Sequence, residues 1–427
     1  MNLDKRRLRL IAWAACSLLI TQIGWARDAK FVLLPATRPA AGLFVSDEWS
    51  ASSPFAQQVV ATVQRYFPSL PIHILINDSS PKARARWLKT TSHPRSLHFI
   101  AVSGSSEWPQ DFMALGADSL NRPALLRLPY DEHDEFADRS SSLSAEVAHA
   151  CKLPSMQPVV APREGANNLG GNLMAFPGGV IAVGSGVSPQ LEKFLIRDAI
   201  PAPVERLIEI KTDWLPAGHV DELFSVVPGP NDERCGFSIL YASPDNALKI
   251  AIENSRHNPA APDLLLAQTD QVVGPWHPAN CLSALGARGT IHFKEAAACA
   301  AFLNANHYYD HLIQSELDRL VNRVEQATGC GSIQRVPLPV LYLPSVSPSS
   351  AAPSFVGAPV AVLNPNPVNG LVLKNLFVTG KQPNPLFESA IRSQLHQRGM
   401  AAEFVDSSVL HAQNGGVHCA TNVIRQP

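Results

Sequence analysis

The chain has almost no net charge, because 35 basic and 36 acidic side chains give a formal value of -1 over 427 residues. A nucleic-acid-binding protein is expected to carry a basic surface field, and a binder of cationic polymers an acidic one. Neither class is favoured. We therefore expect no nucleic-acid partner and look for recognition by local sites.

Long apolar runs are also missing after the N-terminal segment, so no later stretch predicts a membrane-spanning helix. The first residues combine a basic cluster with an apolar run from Leu10 to about Gly24 and a small residue at Ala26. Spanning a bilayer takes about 20 apolar residues, and this run has roughly 15. We predict a signal peptide at 1–26 and a secreted or periplasmic chain at 27–427, without membrane attachment after cleavage.

Cysteine is scarce, and an oxidising compartment permits disulfides among the six that follow the predicted signal peptide. These are Cys151, Cys235, Cys281, Cys299, Cys330 and Cys419. If Cys419 stays a thiol, at least one of the other five is unpaired. A hydrophobic fraction of 46% is ample for a sizeable core.

Short apolar runs alternate with helical stretches, which indicates an α/β architecture. Strands are predicted at 31–34, 72–76, 97–102, 238–241, 371–378 and 402–405, and helices at 54–66, 245–253, 294–328 and 385–399. The segment 342–360 is rich in proline and serine. Strand-like residues flank it, so we predict a surface loop inside one domain rather than an interdomain linker.

Three short segments contain residue types that can do chemistry. They are Trp108-Pro109-Gln110-Asp111, the run Thr212–Glu222, and Gly415–Asn422. Each has an ordinary structural explanation when considered alone: Asp111 can cap a helix, His219 can be a buried hydrogen-bonded ring, and Cys419 can be buried or disulfide-bonded.

Taken together, these residue types suit chemistry on a guanidinium group. A guanidinium is a planar cation with five donors, so the carboxylates of Asp111 and Asp221 can grip it. The thiolate of Cys419 is a suitable nucleophile for its central carbon. His219 can give a proton to departing ammonia and take one from water. A bend at Gly218 would help to bring His219 and Asp221, which flank Val220 in a predicted strand, to one site.

The three segments resemble the catalytic domain of protein-arginine deiminases in order and in spacing. The shared motifs are Trp-x-Gln-Asp, Asp-Trp-Leu-x-x-Gly-His-Val-Asp-Glu and Gly-x-Val-His-Cys-x-Thr-Asn-Val. The stretches Gly171–Leu173, Leu338–Tyr342 and Asn364–Asn369 are similar as well, so the resemblance runs from about Leu97 to Arg425. It implies a single catalytic domain with the closed pseudo-fivefold α/β propeller of guanidino-group-modifying enzymes.

The resemblance also implies roles for seven side chains. The catalytic set is Asp111, His219, Asp221 and Cys419, and the substrate-binding set is Trp108, Arg163 and Asn172. Ordinary alternatives for the second set are a packing role for Trp108, a solvent-facing Arg163 and a left-handed turn position for Asn172. We interpret His418 as structural, because in an extended loop its ring would point away from the side of Cys419.

The sequence departs from the family in a way that disfavours calcium. Animal deiminases carry calcium ligands close to Trp-x-Gln-Asp, including acidic residues shortly after its Asp, where this chain has Phe112 and Ala114. Gln110 alone keeps an oxygen there, although calcium prefers carboxylates. An acidic stretch between Asp131 and Asp138 has the residue type to bind a cation, but such runs are more typical of a solvated loop. We therefore predict no metal ligands and no cofactor.

The animal enzymes also carry immunoglobulin-like domains before the catalytic part, and we expect none here. The resemblance implies that arginine in a protein or peptide is converted to citrulline with release of ammonia. One alternative is a guanidine hydrolase or amidinotransferase acting on free arginine, agmatine or methylated arginine. Another is a non-catalytic arginine-binding protein, which would not need both Cys419 and His219. A cysteine protease would not need the two aspartates. The oligomeric state stays open.

Overall fold

Strands and helices alternate along the part of the chain that the computed structural model describes, which is residues 31–48, 54–76, 81–103, 107–128, 137–156, 167–199, 206–215, 217–230, 235–257, 293–344 and 360–427. The strands are β1 Phe31–Leu33, β2 Ala40–Ser46, β3 Ile72–Ile76, β4 Leu97–Ala101, β5 Met113–Asp118, β6 Pro123–Arg127, β7 Ser155–Met156, β8 Leu173–Phe176, β9 Val180–Gly184, β10 Leu207–Ile210, β11 Phe224–Pro228, β12 Phe237–Ser243, β13 Gln334–Pro339, β14 Tyr342–Pro344, β15 Val360–Val362, β16 Leu371–Leu373, β17 Leu376–Gly380, β18 Ala401–Val405 and β19 Thr421–Arg425. The α-helices are α1 Phe55–Tyr66, α2 Pro81–Thr90, α3 Pro109–Phe112, α4 Ala137–Cys151, α5 Pro189–Phe194, α6 Pro244–His257, α7 Phe293–Thr328, α8 Pro385–His396 and α9 Ser408–Ala412.

Five of the sheets in these ranges follow one plan. An inner strand pairs antiparallel with a middle strand, and the chain then returns through a helix to a third strand that lies parallel to the middle one. The units are β5-β6-β7, β8-β9-β10, β11-β12-β13, β16-β17-β18 and β19-β2-β3, the last of which is extended by β4. The β19 strand pairs with β2 near the other end of the chain, so one sheet joins both ends.

The predicted α/β class is therefore confirmed. The prediction of one strand at 371–378 was wrong, because these residues do not form a single strand. They form the antiparallel strands β16 and β17, in which Leu373 pairs with Leu376. The chain turns between them at Lys374, which has a φ of 39°. A lysine at positive φ is uncommon, so the residue type gave no signal of this turn.

The helices that return across the sheets bury one face. In α1 the buried residues Phe55, Val59 and Val63 are spaced by four, and in α8 Phe387, Ile391 and Leu395 repeat that spacing. Positions four apart lie on the same side of an α-helix. These faces pack into apolar clusters against the strands, and none of the helices in the described ranges is long and apolar enough to cross a bilayer.

Two regions of the sequence analysis fall wholly or partly beyond the described ranges. The predicted signal peptide at 1–26 lies outside them. The segment 342–360 begins with strand β14 and ends at strand β15, which pair antiparallel, so the predicted loop is shorter at both ends. Residues 345–359 lie outside the described part.

Cysteines occur in both redox forms. Cys235 and Cys330 form a disulfide that joins the segment before β12 to the segment after α7. Cys299 is also disulfide-bonded. Cys151 and Cys419 are thiols. The expectation that Cys419 would leave another unpaired cysteine is therefore met by Cys151.

The inner strands share a feature that positions the candidate site, since polar or functional residues come directly before each of them. Helix α3 precedes β5, the 3₁₀ turn Gly170–Asn172 precedes β8, and the 3₁₀ turn Val220–Glu222 lies just before β11. Asn369 and Cys419 each lie two residues before an inner strand. Five separate parts of the chain are thus brought to one end of the inner strands.

Candidate active site

The first segment of the site is α3, which the last strand holds in place. Asn422 in β19 donates from Nδ2 to the carbonyl oxygens of Pro109 at 3.1 Å and Met113 at 2.9 Å. The backbone N–H of Gln110 donates to the carbonyl oxygen of Cys419 at 3.3 Å. These bonds link the residues around Asp111 to the loop of the candidate nucleophile.

The second segment is a bent loop that ends in a 3₁₀ turn. Gly218 has a φ of 70°, a conformation that favours glycine, and its carbonyl oxygen accepts a 2.6 Å hydrogen bond from Thr212 Oγ1. The predicted bend at Gly218 is present, but the strand expected around Val220 is not. In the turn that replaces it, Val220 is fully buried while His219 and Asp221 both reach the site.

The third segment is the loop before β19, which contains Gly415 and Gly416. A methyl group on Gly415 would lie 2.2 Å from the ring of Trp108, and one on Gly416 would lie 2.4 Å from Asn369 Oδ1. Both glycines therefore allow a close approach that any other residue would prevent. The loop coils before β19, because Ala420 N–H donates to Gly416 O.

The structure brings all four predicted catalytic side chains into one buried pocket. Their exposed fractions are 7% for Asp111, 4% for His219, 2% for Asp221 and 6% for Cys419. Cys419 Sγ lies 3.7 Å from Asp221 Oδ2, and His219 Nδ1 lies 3.9 Å from Asp111 Oδ1. Neither aspartate forms a close ion pair with His219.

The position of Gly171 marks where these side chains converge. A methyl group there would lie 2.6 Å from His219 Nδ1, 3.1 Å from Asp221 Oδ2 and 3.2 Å from Asp111 Oδ1. Only a residue without Cβ can run between the three side chains. The backbone N–H of Gly171 also hydrogen-bonds to Asp111.

Three polar atoms in the pocket are buried and have no hydrogen-bond partner among the described residues. They are Asp111 Oδ1, Asp221 Oδ1 and His219 Nε2. An unsatisfied buried polar atom destabilises a fold, so such atoms are rare unless a ligand or water completes them. A planar group with several N–H donors would supply hydrogen bonds to the two carboxylate oxygens and the imidazole nitrogen.

The electrostatics of the pocket favour a bound cation. The pKa of Asp111 is raised to about 6, mainly by burial; the charge of the nearby Asp221 contributes to this rise, and His219 opposes it. Burial also raises the pKa of the Cys419 thiol well above its ordinary value, and the charges of Asp221 and Asp111 add to this effect. A positive charge bound between the aspartates would lower the pKa of both Asp111 and Cys419 and so oppose the effect of the carboxylate charges.

The three predicted substrate-binding residues have different outcomes. Trp108 is half-buried directly before α3 and lies against Gly415. Asn172 is fully buried in a 3₁₀ turn, so a left-handed turn position was the wrong interpretation, and its Nδ2 donates to the carbonyl oxygen of Asn167 at 3.0 Å. Arg163 lies outside the described residues.

The expectation that the His418 ring points away from the side of Cys419 was wrong, whereas its structural role stays a prediction. Its Nδ1 lies 2.7 Å from Asp221 Oδ2, within the candidate site. The expectation assumed an extended loop with alternating side chains, whereas the chain turns here and Thr421 N–H donates to the carbonyl oxygen of His418. In a turn, adjacent side chains do not point to opposite faces, so His418 and Cys419 both reach Asp221.

Asn369 is a second residue that the sequence analysis did not assign to the site. Its Nδ2 lies 3.1 Å from Cys419 Sγ, and its exposed fraction is 2%. The available signal was the Asn364–Asn369 stretch, which was noted for its resemblance to the family. No residue type or spacing within that stretch indicates a contact with a cysteine 50 positions later.

The residues near Gln110 do not fit a calcium site. A cavity of about 80 Å³ beside Gln110 is lined by apolar side chains such as Ala114, Leu173 and Met174 and by the neutral oxygens of Ser225, Thr421 and Asn422, and no carboxylate of the described residues lines it. Phe112 is fully buried in the core. Calcium binds through several oxygen ligands, usually including carboxylates. No group of three or more His, Cys, Asp or Glu in the described ranges could hold a metal ion.

Comparisons with known proteins agree with the motifs. Residues 171–427 match the family described as protein-arginine deiminase. The human type-3 protein-arginine deiminase is 24% identical over an alignment that covers 90% of this chain and 57% of that protein. The human type-4 protein is 29% identical, with 56% of this chain and 31% of that protein covered. The chain therefore spans only part of the length of both curated relatives.

A solved structure extends the agreement to the fold. The agmatine deiminase of Enterococcus faecalis superposes with a TM-score of 0.54 and 10% identity, with 93% of this chain and 96% of that chain covered. At this identity the likeness concerns the fold alone, which is the α/β fold of guanidino-group-modifying enzymes. Because the family match covers more than half of the 427 residues, this chain belongs to the protein-arginine deiminase family.

Proposed function

We propose that the protein is an exported arginine deiminase, a hydrolase acting on amidine C–N bonds, and that it converts protein- or peptide-bound arginine to citrulline. One observation carries the proposal. The unpartnered carboxylate oxygens of Asp111 and Asp221 share a buried pocket with a thiol and an imidazole nitrogen. The two carboxylates balance the positive charge of a guanidinium and accept its N–H donors, and the thiol can attack its central carbon.

The aspartates bind the substrate. A guanidinium is planar and permanently charged, and its five N–H donors form strong bonds to carboxylates. Asp111 and Asp221 come from different units of the fold, so they can hold the group from two sides. Burial strengthens these bonds because water does not screen them.

The bound cation also prepares the nucleophile. Without it, burial and two carboxylates keep Cys419 protonated, since its pKa is raised. A guanidinium next to the sulfur favours the thiolate, which then attacks the central carbon and forms a C–S bond. The thiol proton passes to His219, which gives it to one nitrogen as the C–N bond breaks, so that this nitrogen leaves as ammonia and the carbon stays bonded to sulfur as a cationic amidinium.

Hydrolysis completes the cycle. Water attacks the carbon of the covalent intermediate while His219 takes its proton, the C–S bond breaks, and the Cys419 sulfur leaves with its electron pair. The carbon keeps the new oxygen as the ureido group of citrulline, and the second proton of the water returns to the sulfur as the thiol. His219 suits both steps because its Nε2 is buried and has no partner among the described residues.

The five inner strands support a closed fivefold propeller around this site. The cavity beside Gln110 is lined by one or more residues from each inner strand, including Ala114, Met174, Ser225, Val372 and Val423. Strands from five units that face one cavity are expected in a closed ring. A single catalytic domain, with Trp108 stacking on the arginine stem and Arg163 holding the substrate backbone, completes the proposal.

Small guanidines are the second candidate substrate class, since the agmatine deiminase of Enterococcus faecalis has the same fold. The pocket chemistry described above is the same for free arginine, agmatine and an arginyl peptide. A non-catalytic arginine-binding protein is disfavoured, because binding requires the aspartates but neither Cys419 nor His219.

The test is product formation by the purified full chain. Citrulline or its analogue is measured by mass spectrometry with an arginyl peptide, free arginine and agmatine, beside a Cys419→Ala variant. We expect peptidyl citrulline that disappears in the variant. Turnover of agmatine or free arginine alone would assign the small-molecule class, and no turnover of any substrate would refute the deiminase. Finding the chain in the periplasm or medium tests export.

A further inference from the structure

Asn369 lies against the sulfur of the proposed nucleophile. Its Nδ2 is 3.1 Å from Cys419 Sγ, and the side chain is 2% exposed. Its Oδ1 accepts from the backbone N–H of His418 at 3.1 Å and faces the backbone N–H of Cys419 at 3.3 Å. One side chain therefore contacts both the sulfur and the backbone that carries it.

The chemistry of these contacts fixes the orientation of the amide. A backbone N–H can only donate, so the atom that faces the two N–H groups must be the oxygen. The amide nitrogen is then the atom nearer to Sγ, at 3.1 Å, whereas Oδ1 lies 3.4 Å from Sγ and can accept a hydrogen bond from the thiol. The nitrogen also lies 3.5 Å from the carbonyl oxygen of Asp221. Asn369 thus directs an N–H donor at the sulfur.

Such a donor opposes the other influences on the sulfur. Burial and the charges of Asp221 and Asp111 raise the pKa of Cys419, whereas hydrogen bonds from Gly416 and Asn369 lower it. A cationic side chain at this position would lower the pKa more strongly, but it would also repel a guanidinium. A neutral amide stabilises a thiolate without competing with the substrate for the aspartates.

The approach of Asn369 depends on a glycine in the nucleophile loop. A methyl group on Gly416 would lie 2.4 Å from Asn369 Oδ1 and 2.7 Å from its amide carbon. Since Asn369 precedes β16 and Gly416 precedes β19, the contact joins two units of the fold.

We propose that Asn369 is a further catalytic residue of this enzyme, whose amide N–H stabilises the Cys419 thiolate while its oxygen holds the nucleophile loop. The inference rests on the proposed function for the role of Cys419. Its test does not require substrate turnover, so the two can fail separately.

The experiment measures alkylation of Cys419 by iodoacetamide as a function of pH. A Cys151→Ser background removes the other thiol of the described residues, and the disulfides stay oxidised while the alkylated Cys419 peptide is measured by mass spectrometry. Asn369→Ala is expected to move the alkylation midpoint to higher pH and to slow the reaction at a fixed pH by about tenfold or more, the size of one hydrogen bond to a charged group. Asn369→Asp should move the midpoint further, because it adds a negative charge.

Asn369→Asp is the decisive variant. Its carboxylate can still accept the two backbone N–H bonds, so the loop keeps its anchor while the donor is lost. Asn366→Ala is the matched control, because Asn366 lies in the same loop and donates to the carbonyl oxygen of Glu222 at 2.7 Å without touching the sulfur. We expect it to leave the alkylation midpoint in place.

The outcomes separate the roles. If folded Asn369→Asp has the same midpoint as its parent, or if Asn366→Ala moves the midpoint equally, Asn369 does not act on the sulfur and the inference is overturned. A shift specific to Asn369 together with no citrulline from any substrate would support the contact and refute the deiminase. Thermal unfolding of each variant shows which ones are folded.

Discussion

Asp111 and Asp221 are chemically identical, but the two sides of the pocket hold them differently. Asp221 contacts His418 at 2.7 Å and Cys419 Sγ at 3.7 Å through one oxygen. Asp111 is fastened by the backbone N–H of Gly171, and its pKa is raised to about 6 mainly by burial. The comparison suggests that Asp221 couples substrate binding to the nucleophile, whereas Asp111 serves chiefly to bind.

The largest expected effect separates these two roles. Removing one partner of a buried charge pair typically costs about 3–5 kcal/mol, or roughly a hundredfold to several thousandfold in rate. We expect Asp221→Asn to lower kcat/KM for an arginyl peptide by about a thousandfold or more, and Asp111→Asn by about a hundredfold. Equal losses, or a larger loss at Asp111, would contradict the assigned division.

The pH dependence of kcat/KM tests the role of Asp111. Below a pH of about 6 its carboxyl is protonated and cannot pair with a guanidinium; as the pH rises through about 6 it gains the charge that binds. We expect kcat/KM to fall by about tenfold per pH unit on the acid side. In Asp111→Asn this fall of kcat/KM on the acid side should disappear. If it persists, the titrating group is not Asp111.

A smaller effect is expected from His418, which supports Asp221. Removing one hydrogen bond to a carboxylate in His418→Ala should lower kcat/KM by about tenfold. His418→Asn places an amide donor near the position of Nδ1 and should recover most of the activity. If both variants lose the same activity at equal melting temperatures, the ring acts in some way other than donating to Asp221.

The smallest effect is expected from chelation. No carboxylate of the described residues lines the cavity beside Gln110, so we expect EDTA to change kcat/KM by less than about twofold. Added calcium should not restore activity lost in the aspartate variants. A strong, calcium-reversible loss in EDTA would mean that ligands come from elsewhere in the chain.

The sequence predicted the elements best where periodicity was strong. Helix α1 and strand β3 agree with their predicted bounds within a residue. Apolar residues spaced by four, or a short apolar run, can be recognised from the local sequence alone. The hairpin between β16 and β17 was missed because it turns at a lysine. The 3₁₀ turn at Val220 was missed because its φ and ψ follow from packing beside β11, not from residue type.

The motifs were enough to indicate the family, the α/β class and four side chains of the candidate site, because the proposed chemistry on a guanidinium requires particular functional groups. The support of these side chains depends on how the chain folds. Asn369 and His418 contact the reactive groups across 50 and 197 positions of the chain, and Gly171 runs between three side chains. Such contacts depend on where separate units of the fold meet, which no local pattern encodes.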